Sequence, residues 1–326
     1  MTAKATRMKW KTPVKILISS LLLVYVARSI NIRSAMGMIA GAHAGFLVLA
    51  FLVETASNFT GAFCWLMFLR AEDRTFSFFR AVYLYWIGLF FNIVLPSNIG
   101  GDAVKAVAAV HGVRRWYPRA AGIINDRLIN LAAMILIGFC ACILFSLKNR
   151  SIPAYLTIST AGGIICIVVF SAVVTNRVMA KIVITVQRRW FKMKVFRLFS
   201  TAVIVLSQMK KKNKKLLFAA ALSALITQFL RIWFYSFLMR GLMCEIPDTL
   251  LFMVFPVIGI VSMIPVTIGG IGVREYAGAY FARVASLDVT AFTTLVFAGY
   301  AVVVLSGCTG IVIFFFIKKN ISKSLN

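Results

Sequence analysis

Apolar residues run along this chain in long blocks broken by short polar stretches. Eight blocks stand out: Pro13–Ala27, Ala35–Leu69, Phe76–Leu95, Ala120–Leu147, Ile152–Thr175, Leu216–Met239, Leu250–Ile264 and Val289–Ile317. A helix needs roughly 20 apolar residues to cross a hydrocarbon core. The pattern therefore predicts an all-α polytopic membrane protein with about eight transmembrane segments. The second block, 35 residues long, is either one long tilted helix or a helix with an interfacial extension. Two glycine-rich tracts, Ile99–Val113 and Ile268–Val284, follow the third and seventh blocks, and neither holds enough uninterrupted apolar sequence to span alone.

Composition narrows the class. Of 326 residues, 61% are apolar and 14% charged, and 36 Lys and Arg face 9 Asp and Glu. Such a chain is neither disordered nor an ordinary soluble enzyme. The blocks leave no room for a separate soluble catalytic domain, so residues 1–326 are expected to form a single membrane domain. It divides into a first half (1–150), a basic loop (176–215) and a second half (216–318). The six cysteines show no CxxC pair and read as buried thiols. His43 and His111 are isolated, and metal sites need clustered ligands. No metal and no cofactor is expected. The basic N-terminus runs into an apolar stretch without an A-x-A cleavage site, which suits a first anchor better than a signal peptide.

The cations decide between nucleic acid and membrane. Residues Arg177–Lys215 hold twelve Lys and Arg and no acid, which places that loop in the cytoplasm. With both termini also inside, crossing parity requires Phe76–Val113 to enter and leave on the cytoplasmic side, and Leu250–Val284 to do so on the external side. On this topology 27 cations lie inside and five outside. A nucleic-acid binder has no reason to sort its charges so; a multi-pass protein of the inner (cytoplasmic) membrane does. Within the loop, Val178–Phe199 interleaves Lys and Arg with Ile, Val, Trp and Phe, as expected of helices lying on anionic headgroups.

The two odd hairpins share a tip. Leu95-Pro96-Ser97-Asn98-Ile99-Gly100-Gly101-Asp102 matches Ile264-Pro265-Val266-Thr267-Ile268-Gly269-Gly270-Ile271-Gly272-Val273-Arg274-Glu275 as apolar-Pro-x-(Asn/Thr)-Ile-Gly-Gly followed by ionised residues. The motifs lie 169 residues apart and, by parity, on opposite faces. Proline ends a helix, glycines permit a reversal at positive φ, and a restarting helix presents a positively polarised N-terminus to anions. Two such breaks in opposite orientation predict an inverted repeat with re-entrant or broken helices. The plain alternative for each is a loop.

An ionised group at the bilayer centre costs roughly 3 kcal/mol or more, so each needs a partner or water. Glu54, Asp102, Asp126 and Glu275 fall at depth or at the tips, with Arg127, Arg231 and Arg274 as candidate partners. Glu54, Asn58 and Gly61 share a helix face. Asp126 and Asn130 do too, while Arg127 points about 100° away, so Asp126 and Arg127 are expected to serve different partners. Structural ion pairing is the alternative for all of these.

Three tracts together resemble a known family: Leu-Pro-Ser-x-x-Gly-Gly-Asp at 95–102, Asn125-Asp126-Arg127, and Ile-Pro-x-Thr-x-Gly-Gly-x-Gly-x-Arg-Glu at 264–275. They look like the lysylphosphatidylglycerol synthase transmembrane-region family, a flippase-like membrane domain, over nearly the whole chain. Asp126-Arg127 departs from the Glu-Arg expected there. The resemblance implies an eight-segment lipid-translocating fold. In some relatives a cytoplasmic aminoacyl-transferase domain is fused to it; this chain, ending at Asn326, is expected to be a stand-alone member that does not itself make aminoacyl lipid.

The expected function is movement of an anionic or amphipathic phospholipid, or a lipid-linked glycan, between leaflets through a polar cavity at the paired hairpins. The candidate substrate-binding residues are Pro96, Ser97, Asn98, Gly100, Gly101, Asp102, Lys105, Pro265, Thr267, Gly269, Gly270, Gly272, Arg274 and Glu275. The candidate buried polar network is Glu54, Asn58, Asp126, Arg127 and Arg231. There is no Walker A motif for ATP hydrolysis. Membrane lipids are the expected partners, with a homodimer and a separate lipid-modifying enzyme the proteins to look for, and no nucleic acid. The alternatives are a membrane-embedded transferase acting on a lipid phosphate, with tip carboxylates as bases, and an accessory or scaffold subunit of envelope biosynthesis.

Overall fold

The computed structural model describes residues 2–94, 100–110, 116–149, 194–263, 266–267 and 269–324. Among them the only regular elements are eleven helices. These are α1 (Thr2–Ser29), α2 (Ile32–Ala40), α3 (Ala44–Glu72), α4 (Phe78–Val94), α5 (Gly100–Val110), α6 (Trp116–Asn149), α7 (Lys194–Lys212), α8 (Lys214–Gly241), α9 (Asp248–Ser262), α10 (Val273–Val284) and α11 (Val289–Ser324). The block Ile152–Thr175 lies outside the described residues, as do Pro96, Ser97, Asn98 and Pro265 and most of Val178–Phe199.

Four of these helices contain stretches long and apolar enough to cross a membrane: Ala44–Glu72, Pro118–Phe145, Lys214–Gly241 and Val289–Gly310. A fifth crossing is counted if the bent pair Pro13–Ser29 and Ile32–Ala40, 86° apart, is one span. The chain is thus a multi-pass, all-helical membrane protein. Blocks three and seven became helices of 17 and 15 residues, and the glycine-rich tracts became α5 and α10, of 11 and 12. At 1.5 Å per residue, each of these four is shorter than a hydrocarbon core about 30 Å thick.

The second block is neither one long tilted helix nor continuous. It divides at Gly41–His43, where Gly41 N–H returns to Gly37 O and His43 N–H donates to Gly241 O at 2.9 Å. Upstream, Asn31 starts α2 by accepting the Ser34 N–H on its side chain at 3.1 Å. A run of apolar residues hides both signals, because hydrophobicity does not register which backbone groups leave the helix.

The residues gather into two compact units. Unit one comprises Met1–Thr55, Ile87–Gly101 and Arg231–Asn326; unit two comprises Ala56–Trp86 and Asp102–Leu230. In unit one α10 packs against α1, α9 and α11. Its core holds a run of rings, Tyr235 on Phe255 and Phe255 on Phe292. Glycine lets α10 approach α11: a Cβ on Gly278 would lie 2.9 Å from Val296. In unit two α6 packs against α7. The helix α7 turns Ala202, Val203, Leu206 and Met209 inward at a spacing of three to four residues. The end of the basic loop is therefore a docked helix, with Lys210, Lys211 and Lys212 in its last turn.

At the α3–α4 turn in unit two, Asp73 accepts Thr75 N–H and Oγ1–H and pairs with Arg119 at 2.6 Å. The Thr75 hydrogen bonds, aided by Arg119, hold its carboxyl below the usual range. In unit one, burial raises the Cys244 thiol, in the α8–α9 loop, to about 11.

Candidate functional site

In unit two the first turn of α5 carries a buried ion network. Asp102 pairs with Lys105, one turn on, at 2.8 Å and also accepts from Arg127 Nε of α6. The Lys105 side chain is only 8% exposed. Its ammonium lies 4.7 Å from the ring centre of Tyr85 and 5.5 Å from that of Trp65. Cation–π attraction of this kind strengthens as water is removed, so two rings and one carboxylate hold a charge that burial alone would expel. Asp126 acts on Lys105 electrostatically and accepts the Asn130 amide at 3.1 Å. Asn130 in turn accepts from Gln228 of α8 at 2.8 Å. Asp126 and Arg127, adjacent in sequence, thus reach different partners. Next to them Asn125 is fully buried, and neither of its side-chain polar atoms has a hydrogen-bond partner among the described residues.

The backbone at the two restarts differs. Gly101 lies inside α5 and donates its N–H to Asn92 Oδ1 at 2.9 Å. A Cβ there would collide with the Gly88 carbonyl. Gly101 thus serves a close approach, not the positive-φ reversal that the glycines of the second motif provide. At the second restart, Gly269, Gly270 and Gly272 all have positive φ, at 62°, 78° and 87°, where a side chain is strained.

In unit one the restart builds a second charged cluster. Glu275, 1% exposed, accepts the Gly272 N–H on Oε2 at 2.6 Å. Its other oxygen, Oε1, is buried without a hydrogen-bond partner among the described residues, as is the Thr267 hydroxyl in the preceding turn. The amide of Gly272, the N-cap of α10, is therefore already taken by the chain's own carboxylate. Beside it stands the cation Arg274. Its guanidinium stacks on Tyr300 at 4.8 Å. The buried Tyr235 lies in the fields of Arg274, Glu54 and Glu275, with its ring seated where a side chain on Gly299 would stand.

Of the residues picked from sequence, Asp102, Lys105, Asp126 and Arg127 come together in unit two. Glu54, Gly269, Gly270, Gly272, Arg274, Glu275 and Thr267 belong to unit one. Asn58 is buried in unit two and Arg231 half-buried in unit one. Lys105 is buried and is not a solvated orientation charge of the kind that the cation distribution otherwise suggests. Among the described residues no three His, Cys, Asp or Glu gather to hold a metal.

A family model described as the lysylphosphatidylglycerol synthase TM region matches residues 14–316. The chain belongs to that family. No curated protein matches it, and no solved structure does. In this member of the lysylphosphatidylglycerol synthase transmembrane-region family the residues that sequence reasoning passed over are the aromatic supports Trp65, Tyr85, Tyr235 and Tyr300, and the amides Asn92 and Gln228. One signal was available. Lys105 and Arg274 each follow the second glycine of their motif by four residues, so the two restarts place a cation at the same register. The supporting rings carried no such mark, because aromatic residues crowd the blocks they come from.

Proposed function

We propose that this lipid-related membrane protein moves an anionic or amphipathic phospholipid, or a lipid-linked glycan, between leaflets. One observation carries the proposal: at each restart a cation at the same register is held against a tyrosine ring, Lys105 on Tyr85 and Arg274 on Tyr300. A cation within a membrane domain is normally paired or faces a polar cavity, and such groups mark substrate paths; a translocator needs positive groups that a phosphate can reach after leaving water. Lys105 and Arg274 receive phosphate. Asp102, Glu54 and Glu275 balance the charge while no lipid is present, and the open Glu275 oxygen takes a hydrogen-bond donor of the headgroup.

The helix lengths support the accompanying topology. Helices α4, α5, α9 and α10 are each too short to span, which suits two re-entrant hairpins in an eight-segment inverted repeat. The cation distribution suits an inner membrane with both termini cytoplasmic.

The test is leaflet exchange. The purified protein is reconstituted into vesicles containing phosphatidylglycerol with a fluorescent headgroup or a fluorescent chain, and the fraction accessible to an external quencher is followed in time. Exchange is expected to exceed that of protein-free vesicles and to fall in Lys105→Met and Arg274→Met. Exchange equal to that of empty vesicles for phosphatidylglycerol, aminoacylated phospholipid and lipid-linked sugar alike would overturn the proposal.

A further inference from the structure

A groove of about 340 Å³ runs along unit two between α3, α4 and α8, walled by Phe59, Phe63, Phe78, Leu222 and Ile226. At roughly 30 Å³ per water-sized group it takes on the order of ten such groups, the scale of part of one aliphatic chain. We infer that this groove binds the acyl or prenyl tail of a membrane lipid. The inference rests on the lipid-moving function proposed above for the identity of that lipid.

Three observations fix the occupant. First, α3 and α8 are two of the membrane-crossing helices, and Phe59, Phe63, Leu222 and Ile226 remain substantially exposed, so the groove opens toward hydrocarbon. Second, its two hydroxyls have already committed their protons within the chain. Ser223 Oγ donates to Ala219 O at 2.6 Å; Thr60 Oγ1 donates to Ser57 O at 2.9 Å and accepts from Thr227 Oγ1 at 2.8 Å. Third, the wall is shared with the cation cage. Phe59 packs on Trp86 with ring centres 4.5 Å apart, and Tyr85, the next residue back, carries Lys105. On the side of the α3–α8 pair that meets α6, the Cys64 thiol donates to Ala220 O and Gln228 reaches Asn130. One helix pair thus separates a dry groove from a polar network, the same division that a lipid has between tail and head.

Diazirine-tailed phosphatidylglycerol, photolysed with the reconstituted full chain, tests this by peptide mapping. Label is expected to concentrate on the Phe59–Phe63 and Leu222–Ile226 peptides. Leu222→Trp, at an exposed position that tolerates bulk, fills the groove and is expected to reduce that label about tenfold, as loss of one or two methylene contacts would. Leu52→Trp, equally exposed on α3, is expected to leave it unchanged. Label spread evenly over Val48–Leu52 and the groove, or label indifferent to Leu222→Trp, overturns the inference. If Leu222→Trp removes the label but the wild-type protein exchanges no lipid, the groove stands and translocation fails. If exchange is normal and the label is indifferent, the groove alone fails.

Discussion

The Tyr85 hydroxyl lies 2.5 Å from the point where a Cβ on Gly61 would stand. Tyr85 bears the Lys105 ammonium on its ring, so the absence of a side chain at Gly61 sets where a buried cation sits. Gly61→Ala must displace the ring, and overpacking of this kind costs about 1–3 kcal/mol. The clash is first with the hydroxyl, so Tyr85→Phe in the same background should recover part of the loss. Thermal melting of the two single variants and the double variant forms the check. Strictly additive losses would mean that Tyr85 is not the residue Gly61 accommodates.

The Asp102 pair predicts an asymmetry. Asp102→Ala leaves Lys105 buried beside rings but without its carboxylate, and breaking a buried pair from one side costs about 3–5 kcal/mol. Replacing both partners, as in Asp102→Leu with Lys105→Met, removes the charge and its counter-charge together and should be closer to wild type in stability. The double variant leaves Arg127, the second donor to Asp102, without that carboxylate, so the recovery should be partial. Both variants should lose lipid exchange. A double variant that unfolds as readily as Asp102→Ala, by denaturant or heat, contradicts the account.

Much of this was legible from local spacing. The Gly272–Glu275 contact joins residues three apart, and the cations at 105 and 274 occupy one register in a repeated motif. What escaped was long-range or carried by the backbone. Trp65 and Tyr85 meet Lys105 across 40 and 20 residues of sequence, out of blocks so rich in apolar and aromatic residues that no position stands out. Gly101 looked like Gly270, yet one glycine allows a helix to touch Gly88 and the other allows a left-handed turn. Composition is the same in both cases, and only the neighbouring backbone distinguishes them. The break at Gly41–His43 was hidden for a similar reason, since its cause is the Gly241 carbonyl two hundred residues away.

Acid should weaken the α3–α4 turn. The Asp73 carboxyl is held below its ordinary value, chiefly by Thr75 and then by Arg119. A lowered folded-state pKa contributes stability that is fully present above the unfolded value, about 3.9, and is lost as pH falls through the folded one. The melting temperature of wild type should therefore drop across that acidic window, while Asp73→Asn starts lower at neutral pH and shows a shallower acid limb. Parallel curves for the two proteins below pH about 5 would remove Asp73 from the account.

Glu275 separates a structural role from a functional one. Its Oε2 caps the Gly272 N–H, and Oε1 is buried with no hydrogen-bond partner among the described residues. Glu275→Gln keeps a carbonyl oxygen for the cap and removes the negative charge. Glu275→Ala removes both and strands the Gly272 amide, an unsatisfied buried donor worth about 1–3 kcal/mol. If Glu275 is only a cap, the Gln variant should match wild type in melting and in lipid exchange, and only the Ala variant should suffer. If the charge offsets Arg274 and the open oxygen meets a headgroup donor, the Gln variant should fold with near-native stability and still lose exchange. The two quantities must be measured on the same preparation, because a fall in exchange that tracks a fall in melting temperature would assign Glu275 to the fold alone. Gly272→Ala supplies the control: it strains a φ of 87° and would set a Cβ 3.0 Å from Leu22, so it should lower stability while leaving the Glu275 charge in place.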